Sequence, residues 1–168
     1  MGEPYLELIQ QARKQIELAD HMIYVTYPLV LETKFLLAIM EHIINAARFA
    51  VQALLEFEFY YKRLDAYNKT FVSEISIYKN KVAPRYKLDV KYFKLLQKLL
   101  DIQKFDKDSV VRFKKGEKYI LSTSESNLSV LDLELIKRYS NLTKKFVTEI
   151  SNIIQKERSL IKISGKNV

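Results

Sequence analysis

Four polar residues in an otherwise apolar stretch of the sequence have the types best suited to chemistry: Glu41, His42, Asn45 and Arg48. A carboxylate, an imidazole and a guanidinium near one another can act as a general base, a metal ligand or an anion clamp. The same residues can instead satisfy one another along the water-facing edge of a helix. This second interpretation is favoured, because a catalytic base needs a partner and none is evident for His42. The four residues are therefore a candidate polar pocket without an assigned catalytic residue.

A second candidate site is the pair Glu17 and His21, since residues four apart share a helix face and can offer two metal ligands. The chain has only two histidines and no cysteine, so a bundle-type metal site would lack further ligands. No metal or other cofactor is expected. The sequence also lacks glycine-rich phosphate loops, a nucleophile elbow and an H-E-x-x-H motif. An enzyme is accordingly less expected than a non-catalytic protein.

The charge of the chain is concentrated in one segment. Residues 79–118 contain 13 Lys and Arg against 5 Asp and Glu, whereas the rest of the chain contains 15 of each, so this segment carries the whole net charge of +8. Such a concentration is typical of a surface that binds nucleic-acid phosphates or an acidic protein partner. The alternative is an ordinary solvated face of a lysine-rich protein. The candidate binding residues are Arg85, Lys87, Lys91, Lys94, Lys98, Arg112, Lys114, Lys115 and Lys118.

The elements that must position these residues are mostly helices. Apolar residues recur at intervals of three and four, and only three glycines and three prolines interrupt them. The predicted helices cover residues 4–24, 29–64, 66–81, 89–104 and 131–162. Pro28 and Pro84 are expected to end the first and third of them. A β-hairpin around Gly116, over residues 110–122, is followed by a polar loop over residues 122–127.

These elements predict a mostly α fold. We expect one domain, residues 1–168, built as an antiparallel bundle of about five helices with a β-hairpin inserted before the last helix. The second helix is apolar on most of its circumference, so it should be the central one. Its polar residues form one narrow stripe: Lys34, Glu41, Asn45, Arg48, Gln52 and Glu56.

The basic candidates fall on two of the predicted elements. The fourth helix follows Asp89 as an N-cap and carries a stripe of lysines at positions 87, 91, 94 and 98. The other basic candidates, from residue 112 onward, lie on or near the tip of the hairpin. If the hairpin folds back beside the fourth helix, the two groups form one positive surface.

Composition also constrains the compartment. The absence of cysteine fits a reducing environment, and the N-terminus lacks the basic and apolar regions of a signal peptide. Charged residues interrupt the best apolar stretch, so a membrane-spanning helix and a membrane partner are not expected. A cytoplasmic location follows as the expectation. Abundant Lys, Ile and Tyr without cysteine also fits a heat-adapted (thermophile) source.

The stretch F-L-L-A-I-M-E-H-I-I-N-A-A-R-F-A-V-Q-A-L-L-E-F, Phe35 to Phe57, resembles the alanine-rich second helix of the HEPN helical-bundle family. The resemblance implies an antiparallel bundle, often a homodimer, in a family with many RNA-cutting toxins and partners of nucleotidyltransferases. The ribonuclease motif of that family places a histidine four to six residues after an arginine. Neither His21 nor His42 follows an arginine at that distance, so the resemblance implies a non-catalytic member.

The sequence thus favours a non-catalytic binding or interaction protein that contacts nucleic acid or a partner protein through a basic helix and hairpin surface. Two alternatives stay open. One is an enzyme with its site along the polar stripe of the second helix, and the other is a structural subunit of a protein complex. The enzyme alternative gains if Glu41, Asn45 and Arg48 converge with His42 on a concave pocket, and loses if they face solvent.

Overall fold

The computed structural model of the chain describes residues 2–108, 111–115, 118–122 and 128–165. The helices and strands are α1 Pro4–His21, α2 Tyr27–Val30, α3 Lys34–Tyr60, α4 Phe71–Ile77, α5 Ala83–Tyr86, α6 Val90–Asp108, β1 Val111–Lys115, β2 Lys118–Ser122, β3 Leu128–Leu131 and α7 Leu133–Ile163. One-turn π-helical segments join α1 to α2 and α4 to α5, so the described residues contain five continuous helical stretches. The predicted mostly α bundle is confirmed.

Helix α3 is the centre of the bundle, as its apolar circumference predicts. Its alanines at positions 46, 47, 50 and 53 are fully buried, and α1 and α7 pack against it. Helix α1 runs antiparallel to α3, since the ring of Tyr5 lies 5.1 Å from that of Phe57 while Gln15 reaches His42. Helix α7 also runs antiparallel to α1, because Arg158 pairs with Glu3 at one end and Lys144 pairs with Asp20 near the other.

The two prolines that should end helices do not end them, and these two predictions are wrong. Pro28 and Pro84 each lie in the first turn of a short helix that continues directly from a π-helical turn, Met22–Thr26 and Tyr78–Val82 respectively. A wider turn rearranges the backbone hydrogen bonds just before the proline, where the missing N–H would otherwise leave a gap. The helical stretches end instead at Leu31 and Lys87, which adopt left-handed φ values of 52° and 51°.

Other helix ends also differ from prediction because local caps override the apolar pattern. Helix α4 begins at Phe71, where the side chain of Thr70 accepts a hydrogen bond from the backbone N–H of Ser73 at 3.3 Å. Helix α7 begins at Leu133, where Asp132 accepts one from the N–H of Leu135 at 2.8 Å. The predicted cap Asp89 is confirmed, since its carboxylate accepts a hydrogen bond from the N–H of Lys91 at 2.9 Å.

The β-structure comprises one strand more than the predicted hairpin. Strands β1 and β2 pair antiparallel, with Arg112 opposite Leu121, and β3 pairs antiparallel with the other edge of β2, with Ser122 opposite Leu128. The last predicted helix was expected from residue 131, but Leu131 ends β3 and is fully buried. The predicted loop, residues 122–127, lies outside the described residues apart from the end of β2.

By length and composition, α3 could cross a membrane; it is the one such helix in the described part of the chain. Its best 18-residue window has a mean hydropathy of 1.2. Half of that window is buried inside the fold, against α1 and α7. The core helix of a soluble bundle has the same properties, so the arrangement is compatible with a soluble protein.

Candidate functional site

The four residues of the candidate polar pocket do not converge. The Nδ1 of His42 lies 2.7 Å from the Oε1 of Gln15 on α1, whereas Arg48 reaches α4. Glu41 is exposed and Asn45 is half-buried, and neither side chain makes a hydrogen bond or ion pair with another described residue. Of these four residues, His42 and Arg48 therefore serve contacts to two different helices, which is the structural interpretation favoured from the sequence.

Arg48 belongs to a buried network that joins α3 to α4. Its Nε donates to the Oε2 of Glu74 at 3.1 Å, and the amide of Gln52 donates to the Oε1 at 2.9 Å. The side chain of Glu74 is fully buried. The guanidinium also lies 5.5 Å from the ring centroid of Phe71. Both carboxylate oxygens are thus satisfied, so this network holds α4 in place and leaves no free base.

A cavity of about 470 Å³ opens beside this network, between α1, α3 and the connection that follows α3. The polar residues that line it are Glu7, Gln11, Gln52, Glu56, Tyr67, Lys69 and Glu74. Gln52 and Glu56 belong to the predicted polar stripe of α3, but none of the four predicted pocket residues lines the cavity. The Oε1 of Glu56 accepts a hydrogen bond from the hydroxyl of Tyr67 at 2.8 Å. The same oxygen forms an ion pair with the ammonium of Lys69 at 2.9 Å.

The phenol of Tyr67 in this wall keeps its proton. Burial, together with the hydrogen bond to Glu56, raises the pKa of Tyr67 well above its ordinary value of 10.0, so the phenol stays a proton donor at neutral pH. The carboxylates of Glu56 and Glu74 are engaged by donors. The cavity can therefore accept a small polar ligand, but the described residues form no evident acid–base pair in it.

A second buried carboxylate, Glu58, holds the end of α3. It is fully buried, pairs with Arg85 and with Arg63, the latter at 3.7 Å, and accepts a hydrogen bond from the hydroxyl of Tyr86. Arg63 also reaches Glu157 on α7 at 3.5 Å. Arg85, a predicted nucleic-acid contact, is thus neutralised by a carboxylate of its own fold.

The metal alternative finds no support in the described residues. No group of three His, Cys, Asp or Glu side chains in these ranges could hold a metal ion. Glu17 and His21 are both exposed on α1.

The lysines around the start of α6 have a different environment. We call Lys87, Lys91, Lys94 and Lys98 the basic row; all four are exposed, and none pairs with a carboxylate of the described residues. Lys91 and Lys98 are seven residues apart on α6, so their α-carbons lie about 10 Å apart along the helix axis. The ammonium of Lys91 lies 5.2 Å from the ring centroid of Tyr92, and among the described residues it has no carboxylate partner.

The basic row borders a concave surface. A hollow of about 440 Å³ lies against α6 and is lined by Lys94, Gln97, Lys98, Leu100, Asp101 and Lys104. Lys104 was not among the predicted binding residues, because it lies off the helical stripe that the prediction used. Lys104 could have been predicted because it lies in the basic segment, residues 79–118.

The hairpin contributes the remaining candidates. Strand β1 carries Arg112, Lys114 and Lys115, and strand β2 carries Lys118. In these two strands the structure describes the course of the backbone. Strand β2 comes close to both α6 and α3. The hairpin backbone is therefore near α6, as the prediction of one positive surface requires.

No protein-family model, curated protein or solved structure significantly matches the chain. The HEPN resemblance of residues 35–57 therefore stays a prediction from the sequence. The function has to be inferred from the arrangement of the residues alone.

Proposed function

We propose that the chain is a non-catalytic nucleic-acid-binding protein that contacts phosphates through the basic row and the hollow beside α6. The observation that carries this proposal is a set of exposed lysines, unpaired with described carboxylates, along the edge of a concave surface. Lysines placed in this way are open to an external anion, because no described carboxylate occupies them. The basic residues of the hairpin would extend the same surface. We place this activity in the cytoplasm.

Nucleic acid fits this surface better than an acidic protein does. Protein interfaces usually have an apolar centre surrounded by a polar rim. Within the part of α6 whose side chains are described, residues 90–104, Val90 is the one large apolar residue that is strongly exposed. A row of point charges with so little strongly exposed apolar surface suits a phosphate backbone and gives little base discrimination, since lysine lacks the bidentate fork of arginine.

A salt titration of binding to mixed-sequence RNA and duplex DNA tests the proposal. If three lysines each neutralise one phosphate, the slope of log affinity against log salt on duplex DNA is about −2.7. A variant with Lys91→Glu, Lys94→Glu and Lys98→Glu should lose that binding.

The matched control is a variant with Lys14→Glu, Lys145→Glu and Lys156→Glu. These lysines are also exposed and unpaired among the described residues, but lie on α1 and α7. Both variants have the same formal net charge, so a general charge effect would weaken both equally. The proposal fails if the unmodified protein does not bind at low salt, or if the two variants behave alike.

A second candidate function is small-molecule binding, favoured by the 470 Å³ cavity beside Glu56. This volume is within the usual range of about 300–1,000 Å³ for ligand pockets. A thermal-shift screen of small polar compounds against the unmodified protein and Glu56→Gln tests it. A compound that raises the melting temperature of the first but not of the second supports a ligand at this wall, and a screen without any such compound contradicts it.

A further inference from the structure

A smaller hollow, of about 210 Å³, lies between α5 and the start of α6, where the basic row begins. Its wall is mainly apolar and is formed by Ala83, Pro84, Leu88 and Phe93. The volume is below that of pockets for drug-sized ligands, about 300–1,000 Å³. It suits a single planar ring system better than a larger molecule.

The charged residues around this hollow favour an anionic ligand. Lys79 and Lys87 both line it and are exposed, and neither pairs with a described carboxylate. Lys87 is held in the left-handed conformation, with its backbone N–H bonded to the carbonyl of Pro84 at 3.3 Å, so its position at the end of α5 is fixed. The carboxylate in the lining, Asp89, is engaged as the cap of α6.

The ring of Phe93 already attracts a cation. The ammonium of Lys79 lies 4.6 Å from the ring centroid, a cation–π distance. An aromatic base that stacks on this ring would displace the ammonium, which is then free to contact a phosphate next to that base. Stacking of a base on an aromatic side chain is generally stronger than a cation–π contact at an exposed site, so the exchange is favourable.

The hollow also includes Tyr78, whose buried hydroxyl has no hydrogen-bond partner among the described residues. This hydroxyl has almost no solvent-accessible surface, so a ligand in the open hollow meets other atoms of Tyr78, and the contact with the base rests on Phe93.

We infer that this hollow accepts one unstacked base of a single-stranded nucleic acid whose backbone follows the basic row. The inference rests on the proposed function and narrows its substrate class. A duplex keeps its bases stacked and paired, so it can offer only its backbone to the lysines. A single strand offers both, with phosphates on Lys79, Lys87 and Lys91 and one base on Phe93.

Two variants of the full chain test the base contact without touching the lysines. Phe93→Leu removes the ring and keeps an apolar side chain of similar size, and Ala83→Leu fills the hollow. The probes are a single strand, a duplex and a strand of equal length in which abasic sites replace the bases. We expect each variant to weaken single-strand binding about fivefold or more and to leave duplex binding unchanged.

A spectroscopic measurement accompanies the titrations. A fluorescent adenine analogue in the single strand should change its emission when the base stacks in the hollow of the unmodified protein, but not in Ala83→Leu. Melting temperatures of both variants show that they are folded. Equal binding of the single strand and the abasic strand, with neither variant having an effect, overturns the base pocket and leaves backbone binding intact. Absence of binding to all three probes overturns the proposed function as well.

Discussion

The cations of this protein have two kinds of surroundings, and α3 and α6 show the contrast. Beside α3, Arg48 and Arg63 reach the buried carboxylates of Glu74 and Glu58. Along α6, the lysines of the basic row are exposed and lack a described carboxylate. A cation that neutralises a buried carboxylate serves the fold, because removing it leaves an uncompensated buried charge. A cation in water without a partner contributes little to stability and is free for a ligand.

Sequence position does not separate these two groups. Arg85 lies two residues before Lys87 in the same basic segment, yet it is paired with Glu58 from α3. Charge density therefore identifies the region of a binding surface, while the pairing of each side chain decides which of its residues belong to it.

The largest expected effect comes from breaking the ion pair between Arg48 and the buried Glu74. Arg48→Met leaves the fully buried Glu74 with Gln52 as its described donor. We expect the free energy of unfolding to fall by about 3 kcal/mol. This value is at the lower end for a broken buried ion pair, because Arg48 is one-third exposed and water can reach the carboxylate that it leaves. Urea denaturation measures this loss.

Two companion variants make this prediction specific. The double variant Arg48→Met with Glu74→Leu should recover most of the loss, since an apolar pair replaces the ion pair. Lys94→Met, on the unpaired side, should change the free energy of unfolding by no more than about 0.5 kcal/mol. Equal destabilisation by Arg48→Met and Lys94→Met would remove the distinction between the two regions.

The next effect concerns alkaline pH. Folding raises the pKa of Tyr67 through burial and its hydrogen bond to Glu56, so the unfolded chain releases that proton first. The stability that this tyrosine contributes is therefore complete below pH about 10 and is lost as the pH rises further. The expected loss is about 1.4 kcal/mol per pH unit for each such group, and burial acts in the same direction on Tyr5 and Tyr78.

Urea denaturation at a series of pH values above 10 measures the slope of stability against pH. In Tyr67→Phe, the loss of stability per pH unit should be smaller by the contribution of one tyrosine hydroxyl. A slope that Tyr67→Phe leaves unchanged would mean that Tyr67 titrates normally, and that its hydrogen bond to Glu56 does not protect it.

The sequence predicted the helical elements better than the contacts between them. Spacing of apolar residues and the alanines of α3 were enough to predict a central helix with close neighbours, and Asp89 was recognised as a cap because its effect is local. The two π-helical turns were missed, because the rule that a proline ends a helix considers only the neighbouring residues. The third strand, β3, was also missed, since four residues beside a helix start give too short a pattern.

The paired carboxylates were missed for a different reason. Arg48 and Glu74 are far apart in the chain, and the sequence does not indicate which residues of two helices meet. A local signal did exist: Glu74 is in phase with Phe71, Ile75 and Tyr78 on the apolar face of its helix. A charged residue on such a face has to find a partner when it is buried. The same argument applies to Glu58 inside the aromatic end of α3.

The smallest expected change in binding, the loss of one phosphate contact, gives the most direct test of the contrast, because it compares two cations that the sequence treated alike. Lys91→Gln removes an unpaired charge of the basic row, whereas Arg85→Gln removes a charge already neutralised by Glu58. We expect Lys91→Gln to reduce the salt slope of duplex binding by about 0.9, which is the contribution of one phosphate contact. Arg85→Gln should leave the slope unchanged but lower the free energy of unfolding, because Glu58 then depends on Arg63 and Tyr86. Salt titrations and urea denaturation of both single variants measure the two quantities. The reverse outcome, with binding lost in Arg85→Gln and stability lost in Lys91→Gln, would show that pairing in the free protein does not predict which cations reach the ligand.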